Sequence, residues 1–139
     1  MTAIAQALPL RARSLLRSAL WFDATTVAAL ALLLLVLAGP LAPWLGLEAG
    51  FLRSVGAALL PFAAFLALTA SRERISRVAV GWIIVLNGLY VIDSFAILWL
   101  GWVQPTALGS VFVIAQALVG GAVAVVEWIG LEREPVAGG

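Results

Sequence analysis

Six tryptophans, Trp21, Trp44, Trp82, Trp99, Trp102 and Trp128, stand at the ends of long apolar runs, and between Trp21 and Trp44 the only charge is Asp23. An indole ring prefers the acyl boundary of a bilayer while its N–H still needs a polar partner, so tryptophans at the ends of such runs read as an aromatic belt. Composition agrees: 64% of the 139 residues are hydrophobic and 11% charged, and a mean hydropathy of +1.14 exceeds what a soluble core of this size could absorb.

A membrane helix needs about 20 mainly apolar residues. Four stretches qualify, at about residues 21–45, 51–70, 78–100 and 106–129. Pro40, Pro43, Gly46 and Gly50 punctuate the first connection, residues 71–77 form the second, and Gly101 to Pro105 form the third. Connections this short make sequential neighbours antiparallel, which predicts an all-α membrane protein, an up-down bundle of four transmembrane helices.

Arg11, Arg13 and Arg17 precede the first span, Arg72, Arg74 and Arg77 fill the second connection, and Arg133 follows the fourth span. All three segments fall on one side, so both termini are expected in the cytoplasm, most simply at a bacterial inner membrane. Residues 1–20 read as a basic N-terminal segment, with Leu10 to Leu20 a candidate interfacial helix. Residues 131–139 read as a flexible tail.

The residue inventory narrows the chemistry. The chain has no cysteine and no histidine, and all eight of its positive charges are arginine. Thiolate chemistry, the commonest general base and lysine Schiff bases are therefore excluded, no nucleophile–base–orienter spacing is present, and no catalytic residue, metal site or cofactor is assigned. A net charge of +1 points to no nucleic-acid partner.

Function must then sit with the polar residues inside the membrane, where an unpartnered polar group is costly. Asn87, Tyr90 and Ser94 recur on one face of the third span, with Asp93 one step round. In the fourth span Gly109, Gln116, Gly120 and Glu127 share a stripe, opposite Val111, Leu118, Val125 and Ile129, which should face lipid. Counting residues inward places Asn87 and Gln116 near the midplane, where the two carboxamides can bond each other with Tyr90 beside them.

Arg53, above a small-residue face of Gly56, Ala57, Ala64 and Ala67, is expected to pair with Asp93 in the outer half. Asp23 and Glu127 are assigned to the cytoplasmic headgroup level, near Arg17, Arg72, Arg74 or Arg77. The candidate ligand-binding set is therefore Arg53, Asn87, Tyr90, Asp93 and Gln116.

Two functional readings follow. In the first, a non-enzymatic protein binds or transports an ion or small amphiphile at this polar interior, as a homo-oligomer associating through the Gly109, Gly120 and Ala124 face. In the second, the chain is an accessory or assembly subunit docking on a membrane-protein partner. A membrane enzyme ranks below both.

Overall fold

The computed structural model describes the backbone of residues 2–133 and side chains from Leu15 onward. It is an all-helical bundle of four helices: α1 (Thr2–Leu45), α2 (Ala49–Ser71), α3 (Arg77–Trp99) and α4 (Ala107–Arg133). All four are long and apolar enough to cross a membrane. The chain is thus a small multi-pass integral membrane protein. Its lipid face is the aliphatic surface expected, with Val111, Leu118, Val125 and Ile129 all exposed.

In lipid the apolar effect does not drive helices together, so close backbone approach and interhelical hydrogen bonds must do so. The α1–α2 seam follows this rule. Ala24, Ala31 and Ala38 recur every seven residues on α1 and are buried, and Gly56, Ala63 and Ala70 do the same on α2. A Cβ at Gly56 would lie 2.9 Å from the Ala31 carbonyl oxygen, closer than two packed atoms can stand. The buried small-residue face of α2 is therefore this one. Ala57 and Ala64, expected to face inward, are exposed, and so is Arg53.

Helix α1 bends at Leu37, whose φ of −106° and ψ of 15° are not helical. Pro40 lacks the N–H that would bond Val36 and its ring crowds that carbonyl, which accounts for the kink. Helix α2, by contrast, runs unbroken through Pro61.

At the arginine-poor end the connections are held by backbone. Gly46 and Gly101 have φ of +67° and +72°, the left-handed conformation that glycine adopts at no steric cost. Thr106 locks this end: its hydroxyl donates to the Trp44 carbonyl at 2.6 Å and its N–H to the Leu45 carbonyl at 3.0 Å. The same hydroxyl accepts from the Gly109 N–H at 3.1 Å, capping α4.

At the arginine-rich end, Arg17 donates to the Glu73 carbonyl at 3.1 Å and Arg77 to the Leu131 carbonyl at 3.0 Å. Leu16 and Leu20 are fully buried there, in a cluster with Ala24, Leu66, Ala70, Ile75, Val80 and Ile83. These leucines belong to the bundle rather than to a separate helix on the membrane surface, because α1 enters the bundle before Trp21 and lays Leu16 against Gly130. The side chains of Arg11 and Arg13, and residues 134–139 of the expected flexible tail, lie outside the described residues.

Around the bundle the order is α2, α1, α4, α3. Extensive contact joins α1 to α2, α1 to α4 and α3 to α4, but α2 barely touches α3. The ring of four is therefore parted along one seam.

Candidate functional site

Three polar side chains from three helices meet inside the bundle. Asp23 of α1, Asn87 of α3 and Glu127 of α4 are 2%, 4% and 0% exposed. The Asn87 carboxamide nitrogen donates to Asp23 Oδ2 at 2.9 Å and to Glu127 Oε1 at 3.3 Å, so both of its N–H bonds are spent on carboxyl groups. The two carboxyl groups thus meet at one amide nitrogen. Among the described residues Asn87 is the one donor to either acid, and Glu127 Oε2 is buried without any partner.

The sequence assigned Asp23 and Glu127 arginine partners at the headgroup level; the structure buries both and gives them Asn87 as partner instead. The cause is helix length. Helix α1 already carries Leu16 and Leu20 packed inside the bundle ahead of Asp23, and α4 continues to Arg133, six residues beyond Glu127. Of the arginines expected as partners, Arg17 and Arg77 are engaged on the backbone carbonyls described above. The apolar cluster around Leu16, Leu20, Ile75 and Val80 lies between the acids and that end of the bundle.

Asn87 is at the middle of α3, as expected, but it does not bond Gln116. The Gln116 amide instead donates to the Val113 carbonyl at 2.9 Å and, more weakly, to Ser94 Oγ at 3.4 Å. Ser94 in turn donates to the Tyr90 carbonyl at 2.7 Å, and the Tyr90 hydroxyl adjoins the Gln116 side chain. Two polar groups thus occupy the interior at different levels: the acids with Asn87, and Tyr90 with Ser94 and Gln116.

A cavity of about 780 Å³ connects them. Asp23, Asn87, Tyr90, Asp93 and Gln116 all line it, together with Leu, Val and Phe side chains from the four helices; Glu127 does not, and stands behind the other two. Four of the five sequence-predicted site residues are therefore gathered in one space. Arg53 is the exception. It lies on α2 with its guanidinium beside Gly39 of α1, whereas Asp93 is on α3, the helix that α2 scarcely meets. The expected Arg53–Asp93 pair fails because the parted seam runs between those two helices.

The face assigned to self-association is also largely consumed within the chain. Gly109 is buried so tightly on the end of α1 that a Cβ there would collide with the Leu45 carbonyl oxygen, and Ala124 is buried as well. Gly120 has no atom within 4 Å of a would-be Cβ and opens onto the cavity instead.

The arrangement is chemically lopsided. Two acids share one neutral donor in the bundle interior, with a carboxyl oxygen left over and, among the described residues, no cation bonded to either. Two full negative charges in that position would repel each other and lose their hydration without compensation, whereas one added proton or cation satisfies the group. No family model matches this chain, and no curated protein or solved structure is significantly similar to it.

Proposed function

We propose that this small membrane protein binds and releases a proton at the Asp23–Asn87–Glu127 group, as part of a non-enzymatic transport or ligand-binding role in the membrane. One observation carries the reading: a single carboxamide holds two buried carboxyl groups while Glu127 Oε2 has no partner. A proton between the acids supplies the missing donor and removes one of the two charges. It comes and goes through the cavity, which reaches Asp23, and not through the apolar cluster on the other side.

Few other charges bear on the pair. Among the described side chains α1 contributes Arg17, bonded to the Glu73 carbonyl; α2 has no ionisable residue between Arg53 and Arg72; α3 offers Tyr90, Asp93 and the engaged Arg77; α4 offers Glu132, bonded to Trp128, and Arg133. Arginine distribution supports placing the end with Arg17, Arg72, Arg74 and Arg77 in the cytoplasm, so the cavity lies outward of the acids. Homo-oligomerisation, if it accompanies transport, uses a face other than Gly109 and Ala124.

An apolar carbodiimide, which adds only to a protonated carboxyl group, tests the reading on the purified protein in lipid nanodiscs. Mass spectrometry should find the adduct on Asp23 at neutral pH, declining as pH rises, with Glu127→Gln reducing it. Absence of adduct from both Asp23 and Glu127 across the acid and neutral range overturns the proposal.

A further inference from the structure

We infer that the cavity between α2 and α3 is the binding site for a hydrophobic organic cation that enters sideways from the bilayer and takes the place of the proton on the Asp23–Glu127 pair. This deepens the proton-binding reading and rests on it.

Shape and charge point to the same occupant. At about 780 Å³ the space falls within the range of about 300–1,000 Å³ that holds drug-sized molecules. Its wall is overwhelmingly aliphatic and aromatic, which suits a greasy body, and Phe51, Phe62, Phe65 and Phe112 offer ring faces. An aromatic face attracts a desolvated cation. Among the described residues the ionisable side chains on the wall besides Tyr90 are both acids, Asp23 deep inside and Asp93 at the exposed rim, and no arginine lines it. An anion would meet only like charge, and a neutral molecule could not stand in for the charge of the proton.

The route is set by packing. Helices α2 and α3 hardly touch, while the other three neighbouring pairs are closely joined, so the opening faces the acyl chains, where a hydrophobic cation partitions. Asp93 at the rim meets the charge first, and Asp23 receives it at the bottom. The exchange is one for one: Asp23 gives up its proton to water and pairs with the ligand while Glu127 keeps the Asn87 bond, so one positive charge replaces another and the net charge of the group is unchanged.

Tetraphenylphosphonium and tetraphenylborate have nearly the same shape and opposite charge, so equilibrium dialysis of both against the protein in nanodiscs separates charge from greasiness. The phosphonium should bind saturably, at least about tenfold tighter than the borate. Its affinity should rise about tenfold per pH unit over the range in which the pair holds its proton. Saturating phosphonium should also protect Asp23 from the apolar carbodiimide. Gly120→Leu, which fills the cavity from α4 without touching the acids, should weaken binding while leaving carbodiimide labelling of the acid pair detectable, and Asp23→Asn should abolish it. Equal binding of the two ions, or phosphonium binding unchanged in both variants, overturns the inference. If the carbodiimide labels Asp23 and the phosphonium does not bind, the cation site is wrong and the proton site stands; if neither occurs, both are wrong.

Discussion

The Asn87 amide nitrogen lies 2.9 Å from Asp23 Oδ2, a hydrogen bond between residues 64 positions apart in the chain, and the same nitrogen reaches Glu127 at 3.3 Å. This one side chain ties α3 to both α1 and α4. Helices α1 and α3 are otherwise diagonal to each other in the bundle and have no close backbone approach.

Replacing Asn87 with leucine removes the donor and leaves both acids unsatisfied. Hydrogen bonds to such groups are worth about 1–3 kcal/mol, so Asn87→Leu should destabilise the bundle by about 2 kcal/mol. Adding Asp23→Leu and Glu127→Leu to that variant should recover much of the loss, because groups of one network do not behave additively. Unfolding in a mixed-micelle denaturant titration measures this, and a triple variant less stable than Asn87→Leu alone contradicts the network.

Two glycines on α4 should respond oppositely to the same substitution. A Cβ at Gly109 meets the Leu45 carbonyl, and one at Gly120 meets open space. Gly109→Ala should cost about 1–3 kcal/mol through overpacking, whereas Gly120→Ala should be neutral or stabilising because alanine is the better helix former. Thermal melting in one detergent compares them directly.

Arg53 and Asp93 should be energetically independent. With Arg53 beside Gly39 and Asp93 on the cavity rim, the losses in Arg53→Leu and Asp93→Leu should add to within about 0.5 kcal/mol in the double variant. A larger coupling restores the ion pair that the sequence suggested.

Single cysteines at Ser71 and Gln104, both exposed and at opposite ends of the bundle, should label from opposite sides of the membrane. With the arginine-rich end inward, an impermeant maleimide added outside reaches position 104 and spares 71. The reverse pattern inverts the topology.

Much of the fold was legible because membranes make simple demands. Four apolar stretches bounded by tryptophan, proline and glycine can only be four helices, and the Val111, Leu118, Val125 and Ile129 stripe announces its lipid face. Four of the candidate site residues, Asn87, Tyr90, Asp93 and Gln116, also share one cavity, because polar side chains on the inner faces of α3 and α4 have nowhere else to go. The acids themselves were misplaced. Whether they sit inside the bundle depends on how far α1 and α4 extend beyond their most apolar segments, and hydropathy does not reveal that Leu16 and Leu20 are packed inside. A signal was present nonetheless: Glu127 lies on the same stripe as Gln116 and Gly120, and Asp23 is the lone charge of its span. The failed Arg53–Asp93 pair has a different cause, since equal depth on two helices does not bring them together when the seam between those helices is open.

Whether the buried acids hold a proton is read most directly from the infrared spectrum of the protein in lipid, titrated in H₂O and in D₂O. The wild type should show the carbonyl stretch of a protonated, hydrogen-bonded carboxylic acid at neutral pH, shifted by deuterium and lost on raising the pH. Glu127→Gln and Asp23→Asn should each alter or remove it, and Asp93→Asn should leave it in place. A spectrum with only ionised carboxylates at neutral pH, or an acid band that survives in both the Asp23 and the Glu127 variants, contradicts the proton-binding site.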